Sequence, residues 1–380
     1  MTILFSALAT VEYDGQNFYN NEIQASLTRY KQFRNHIICL AHYCQTNHSH
    51  NDSIDMNGIE FVFLHKINRL QSVVADKWNN RKLIKEAVSR CDFCIVHVYS
   101  LHADTVLKYA KQFNKPCLNV VVGDPWDSFW NYNLAGKIIA PFAYLSLKNM
   151  QKKANYSIYV TNHYLQDKYP TKGRSIACSN VDMETGDQNA LNNRIAHIDN
   201  HNYSRIIIGT LAALDVRYKG QEYVIKAIHE LNKKGDHRFE YHLAGGGDSS
   251  FLDSMIKKYG LEKDVVIHGA IPHKDVIKFL DEIDIYIQPS KQEGLPRALI
   301  EAMSRGCLCY GSKTAGIPEL LEKDFIFSKG NYHQIADLLS KTDKTVIRAQ
   351  AYRNFEEAKL YHRETLNKRR YEFINLFLNR

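Results

Sequence analysis

Apolar, β-branched runs alternate with amphipathic stretches twice along this chain of 380 residues, and a polar interval separates the two series. Short strands spaced by single helices bury both of their faces only as parallel sheets wrapped by helices, so the alternation restricts the chain to an α/β class. ILFSALAT, HIICLAHY, GIEFVFLHK, FCIVHVYS, PCLNVVVGD and YSIYVTN read as strands of the first series, with NEIQASLTRYKQFRN and NRKLIKEAVSRC among its helices. RIIIGTLAAL, FEYHLAGGG, VVIHGAI, DIYIQPS and CLCYGS repeat the rhythm in the second. The expected organisation is a doubly wound, Rossmann-like domain over 1–183, a linker over 184–202, a second such domain over 203–355, and a helix over 356–380 that crosses back to the first domain. Two open sheets of this kind face each other across a cleft, and ligands bind beyond the carboxyl ends of their strands.

Charge and composition narrow the function classes. The longest apolar runs fall well short of the roughly 18 residues that span a bilayer, and MTILFSALATVEYDG at the start has neither a basic region nor a cleavage site. The expectation is a cytoplasmic chain without a transmembrane anchor. A formal net charge of +8 favours anionic partners. Part of it sits at Lys148, Lys152 and Lys153 in APFAYLSLKNMQKKANYS, which reads either as an amphipathic helix on a membrane surface or as a solvated helix face. Nucleic acid is not an expected partner, because only net charge points to it. Cys91 and Cys94, like Cys307 and Cys309, lack the second pair that a zinc site requires, and read as reduced core residues.

The segment IYIQPSKQEGLPRALIEAMSRG carries the chemistry. It places Gly294 between a buried strand and a helix, where backbone can approach a phosphate closely and the positive end of the helix dipole can receive negative charge. Glu301, about one turn into the helix, leans back towards the helix start and is placed to accept hydrogen bonds from ribose hydroxyls. Glu293 lies outside the helix and faces whatever lies beyond the phosphates. Ser290 and Glu293 also have the spacing of a capping box, a structural alternative. Three more strand ends join this one. Arg217 and Lys219 form a cationic pair at a turn before Gly220, Gly245 and Gly246 stand in a glycine turn, and His268 with Gly269 offers main-chain groups to a base edge.

In this order and spacing the four segments resemble the nucleotide-sugar domain of the retaining GT-B glycosyltransferases, in particular glycosyltransferase family 4. That family's signature is two glutamates separated by seven residues, as Glu293 and Glu301 are. GCLCYGSKTAGIPELL is similar to the family's loop beside the phosphates, around Thr314 to Gly316. NVVVGDPWDSFW, IYVTNHYLQDKYPTKG and CSNVD resemble segments of a bacterial branch that builds cell-surface polysaccharides. The resemblance implies that Glu301 binds ribose, that Glu293 contacts the transferred sugar, and that Arg217, Lys219 and amides at Gly294, Leu295 and near Gly316 hold the diphosphate. It also implies that His268 to Ala270 border the base. Three positions depart from the family pattern. Thr10, Val11 and Glu12 precede Gly15 where a Gly-Gly pair is common, Gly123 and Asp124 stand where a histidine is common, and Pro296 replaces a frequent glycine.

The expected reaction is transfer of a hexose or N-acetylhexosamine from a nucleotide diphosphate sugar, UDP-linked by family frequency, to a hydroxyl of a glycan or lipid-linked oligosaccharide, with retention of configuration. Thr10, Tyr13, Gly15, Asp124, Trp126 and Asp127 are the sugar or acceptor candidates. No cofactor or metal is expected, since the cations serve the leaving group and no Asp-x-Asp motif occurs. A non-catalytic nucleotide-sugar binder on the same fold is the alternative. A dinucleotide oxidoreductase is disfavoured, because no Gly-x-Gly-x-x-Gly follows the first strand.

Overall fold

The computed structural model describes residues 1–46, 49, 51–65, 73–98, 100, 102–184 and 188–379. Its first sheet contains β1 (Thr2–Tyr13), β2 (Phe18–Tyr19), β3 (His36–Gln45), β4 (Ile59–Phe63), β5 (Phe93–His97), β6 (Cys117–Val121), β7 (Tyr156–Tyr159) and β8 (Arg174–Ala177). The order is β4-β3-β1-β5-β6-β7-β8, parallel throughout, with the short β2 folded antiparallel onto the end of β1. The second sheet holds β9 (Ile206–Leu211), β10 (Phe239–Ala244), β11 (Val265–Gly269), β12 (Ile285–Gln288), β13 (Leu308–Ser312) and β14 (Ile326–Phe327), in the order β11-β10-β9-β12-β13-β14. This is the doubly wound order 3-2-1-4-5-6, and in such a sheet a ligand crevice opens where the winding reverses, here between β9 and β12. In the first sheet the reversal lies between β1 and β5.

Central strands explain why the rhythm was readable. Ile3 to Phe5, Phe93 to Val96, Ile285 to Ile287 and Leu308 to Cys309 are buried on both faces, so each strand is continuously apolar. β1 pairs with β5 only from Ile3 to Ser6, then shifts register and runs on beside β3 as far as Tyr13. Beyond Ser6 the two central strands have parted, which opens the first sheet's crevice. All eight cysteines are free thiols, with the Cys91 and Cys94 sulfurs 3.7 Å apart.

Most of the expected linker, 184–202, is a packed helix. Residues 188–200 form the helix Gln188–Asn200, with Ala190, Leu191, Arg194 and Ile198 buried at helical spacing; residues 185–187 lie outside the described set. Arg194 made the segment look polar, yet its guanidinium is sunk among carbonyls, donating to Leu280 O at 2.7 Å, Ile283 O at 2.6 Å and Arg305 O at 3.0 Å. The segment thus belongs to the second domain. The closing helix Arg363–Leu378 lies on the first domain: Phe377 meets Phe93 and Tyr156, and Arg370 donates to Ser179 O at 2.7 Å.

Candidate active site

The β9/β12 crevice opens into a cleft of about 1140 Å³ between the domains, while Phe5 and His97 at the first sheet's reversal line a smaller cavity of about 190 Å³. The second-domain wall of the cleft is built around the end of β12. Gly220, at φ 78°, closes the short helical turn Arg217–Lys219 with so little room that a Cβ would lie 2.3 Å from Pro289 O. Lys291 N donates to Tyr218 O at 2.7 Å and fastens the same turn to the loop after β12. This lock brings Lys219 Nζ to 2.8 Å from Glu293 Oε1. Gln288 Nε2 donates to the same oxygen at 3.1 Å and to Ser290 Oγ at 2.8 Å, while its own carbonyl accepts from the buried Tyr286 hydroxyl at 2.8 Å. Burial, with the charges of Glu293 and Glu301 adding, holds the Tyr286 phenol well above its ordinary range, so it remains a donor.

Glu301 lines the same cleft from the second turn of the helix Arg297–Ser304. Pro296 occupies that helix's N-cap without a side-chain bond, and Ser290 faces Gln288, so the capping-box alternative is not what organises the loop. Neither the Gly294 nor the Leu295 amide has a protein acceptor among the described residues. Two donors are therefore available at the start of a helix, the arrangement that receives phosphate oxygens.

The remaining predicted donor residues divide. Arg217 is not brought to Glu293; its guanidinium lies 3.2 Å over the Phe251 ring, outside the cleft lining. Thr314 is fully buried, and its hydroxyl donates to Ser290 O at 2.8 Å, which makes it a brace for the loop. The Gly316 amide is taken by Gly294 O at 2.9 Å, and a Cβ on Gly316 would meet that same oxygen at 2.7 Å, so Gly316 serves loop packing and offers no amide to a phosphate. Gly245, Gly246, His268, Gly269 and Ala270 cluster at the ends of β10 and β11 beyond the cleft lining, with Gly245 N donating to Gly269 O at 2.8 Å. His268 is exposed and rests against His242, and partial burial together with that neighbour lowers its pKa.

The first-domain candidates fare differently. Asp124 is buried with its side chain sealed from solvent. Its Oδ1 accepts from Trp126 N at 3.0 Å and from the Tyr169 hydroxyl, and its Oδ2 accepts from the Tyr164 hydroxyl at 2.8 Å and pairs with Lys168. No lone pair points into the cleft, so Asp124 is a structural anchor, not a substrate ligand. Asp127 pairs across the domain boundary with Lys329 at 2.9 Å, and Trp126 stacks on Trp130. Tyr13 and Gly15 sit in an exposed hairpin, where the Tyr13 ring stacks on Phe18 and its hydroxyl donates to Gly15 O at 2.8 Å. They are outside the cleft lining, because β1 runs on past the point where the glycine loop was expected. Thr10 reaches the cleft only through Asn20, whose Nδ2 donates to Thr10 O at 3.0 Å.

The helix Asn21–Lys31 forms the first-domain wall, and sequence reasoning had not singled it out. Asn20 caps it by accepting from Ile23 N at 2.8 Å, and Glu22, Gln24, Thr28 and Arg29 line the cleft. Asn20 immediately before an apolar-periodic run was the available signal. Gln288 was missed because a glutamine ending a buried strand has no motif of its own.

Domain contacts close around the site. Gly294 packs against the first domain so tightly that a Cβ would lie 2.2 Å from Val122 O. Asn131 donates to Lys291 O at 3.2 Å, and Gln292 donates to the Ser128 hydroxyl. On the far side, the Glu319 carboxylate accepts from the amides of Asn162, His163 and Tyr164.

Residues 194–355 match the family model described as Glycosyl transferases group 1. Protein CapJ of Staphylococcus aureus is 31% identical over 261 residues, which cover 67% of this chain and 64% of CapJ. The amylovoran biosynthesis glycosyltransferase AmsK of Erwinia amylovora is 34% identical over 131 residues, 32% of each chain. The chain thus spans less than two thirds of the curated relatives it matches. Sucrose-phosphate synthase from Thermosynechococcus elongatus superposes with a TM-score of 0.76 at 13% identity, over 100% of this chain and 99% of that one. Anabaena HepE in complex with UDP-glucose gives 0.68 at 14% identity, over 99% of each. These likenesses establish the architecture as GT-B.

Proposed function

We propose that this chain is a glycosyltransferase that moves a hexose or N-acetylhexosamine from a UDP-sugar to a hydroxyl of a glycan or lipid-linked oligosaccharide, with retention of configuration, in the building of a surface polysaccharide. The observation that carries the reading is the convergence at the β9/β12 crevice of Glu301, the Glu293–Lys219 pair and the two amides of Gly294 and Leu295. The match of residues 194–355 to the group 1 model, the AmsK relative and the UDP-glucose bound to HepE support the substrate class.

In this reading the ribose hydroxyls donate to Glu301, and the diphosphate lies on the Gly294 and Leu295 amides. Lys219 faces both Glu293 and the leaving phosphate. As the glycosidic bond breaks, negative charge grows on the diphosphate, and a fixed ammonium with preoriented amides lowers the barrier without reorganising. Glu293, held by Lys219 and Gln288, keeps its free oxygen for the sugar hydroxyls. The acceptor approaches from the first-domain wall on the face the diphosphate leaves, and the departing phosphate takes the acceptor proton, which retains configuration. Lys219 and the two amides take the role a metal would fill, so turnover persists in EDTA.

A thermal-shift panel of UDP-, GDP- and ADP-sugars, followed by transfer with the best donor and NMR of the product anomer, tests the reading. A UDP-sugar that stabilises the chain and gives a retained product is expected. No response to any sugar nucleotide would overturn the assignment, and an inverted product would overturn the stereochemistry.

A further inference from the structure

A run of exposed apolar side chains lies on the first domain, outside the cleft lining. In the helix Leu134–Lys152, Leu134, Ile138 and Phe142 are 80%, 71% and 70% exposed, and Leu145 continues the stripe. Spacings of four, four and three residues put these side chains on one helix face. Tyr132 and Trp130 extend it at the helix start, both exposed. An isolated exposed leucine needs no explanation, but a contiguous stripe of this size marks an interaction surface.

Charge chooses the partner. From 128 to 166 the chain has no aspartate or glutamate and carries Lys137, Lys148, Lys152 and Lys153. Beside the helix runs a groove of about 790 Å³, where Lys153 faces Lys108, Lys111 and Lys115 with Asp104 the one acidic residue in its lining. A second copy docking by this face would bring the two lysine sets together with no carboxylate to pair them. An anionic lipid surface satisfies both halves: acyl chains take the stripe, headgroup phosphates take the lysines, and Trp130 and Tyr132 sit at the boundary.

Deepening the reading in which the acceptor is lipid-linked, we propose that the stripe Leu134, Ile138, Phe142 and Leu145, with its flanking lysines, seats the first domain on an anionic membrane leaflet. The preceding helix, Pro125–Trp130, and its C-cap Asn131 join this surface to the domain boundary next to Glu293 of the cleft, because Asp127, Ser128 and Asn131 contact Lys329, Gln292 and Lys291 on the second domain. Seating by the stripe therefore holds the cleft close to the lipid surface, where a lipid-linked acceptor is presented.

The test is co-sedimentation of the full chain with vesicles of phosphatidylcholine alone and of phosphatidylcholine mixed with phosphatidylglycerol, at low and high salt. Binding to the anionic vesicles, weakened by salt, is expected. Ile138→Glu with Phe142→Glu lowers the partition at least tenfold, and Lys152→Glu with Lys153→Glu lowers it by about fivefold per lysine. These positions are exposed, so UDP binding measured without lipid stays unchanged in both variants. Absence of vesicle binding, or binding that the glutamate pair leaves intact, overturns the proposal. So does a solution dimer that the same pair dissolves. Vesicle binding in a chain that binds no UDP leaves the membrane surface standing and fails the transferase reading instead.

Discussion

Asp124→Asn is the substitution that best separates anchoring from catalysis in the first domain. The carboxylate accepts four contacts, from Trp126 N, the Tyr169 and Tyr164 hydroxyls and Lys168, and has no exposure of its own, while Lys168 is 25% exposed. Burial first, and the Asp124 charge second, holds both tyrosine hydroxyls far above their ordinary pKa, so they only donate. Asparagine keeps the shape and one acceptor, but turns an amide N–H towards donors and leaves Lys168 without its counter-charge. Breaking a buried ion pair costs about 3 to 5 kcal/mol, and the partial exposure of Lys168 puts this case near the lower figure, about 3 kcal/mol. For a domain of this size that corresponds to a fall of roughly 6 to 12 °C in its thermal transition. All three tryptophans lie in the first domain, at Trp78, Trp126 and Trp130, so intrinsic fluorescence follows that transition selectively. Where the variant is still folded, UDP affinity is expected to be unchanged. A variant that melts with the wild type and loses transfer would refute the reasoning and return Asp124 to the substrate.

Two further substitutions probe the interface and the first crevice. Gly294→Ala drives a methyl group to 2.2 Å from Val122 O, a backbone atom that cannot turn aside; the strain of about 1 to 3 kcal/mol opposes domain closure and lowers turnover by roughly 10- to 100-fold. Unchanged turnover contradicts that close approach. Burial first, and the Arg29 charge second, lowers the His97 pKa from 6.5 to about 4. The folded chain therefore binds fewer protons than the unfolded chain between those values, and stability falls as pH drops below 6.5, by up to about 2 kcal/mol at pH 5. Urea titrations should show His97→Gln flattening that dependence, and a variant with the wild-type slope contradicts the assignment.

The strands were legible because parallel strands buried on both faces are written as unbroken apolar runs, as in CIVH and IYIQ. The hairpin at Tyr13 and Phe18 was not, since its stabilising contact joins two rings across a turn that has no fixed sequence sign. The helix at 188–200 was misread for a similar reason: Arg194 counts as polar in a sequence, and only the carbonyls of Leu280, Ile283 and Arg305 explain its burial. At the site, the strand-to-helix junction marked Glu293 and Glu301 as candidates but left a capping box open, and only the other strand ends of the second domain favoured a ligand. Arg217 and Lys219 could not be told apart, because two positions on one short turn point in different directions, one to Phe251 and the other to Glu293. Asp124, Thr314 and Gly316 have the residue types that bind ligands, and the same types satisfy buried polar groups. Which task each performs depends on acceptors supplied from elsewhere in the chain, such as Ser290 O and Gly294 O.

Calorimetric titration of UDP into the wild-type chain, Glu301→Ala and Glu293→Ala, with turnover measured in parallel, tests the donor site most directly. Charge-assisted hydrogen bonds to ribose contribute about 1.5 to 3 kcal/mol, so Glu301→Ala should weaken UDP by roughly 10- to 100-fold. Glu293→Ala should bind UDP within a few-fold of wild type and lose transfer, because its partner is the sugar. A wild-type chain that binds no UDP, or a Glu301→Ala variant that binds it as tightly as the wild type, would contradict the placement of the nucleotide at the β9/β12 crevice.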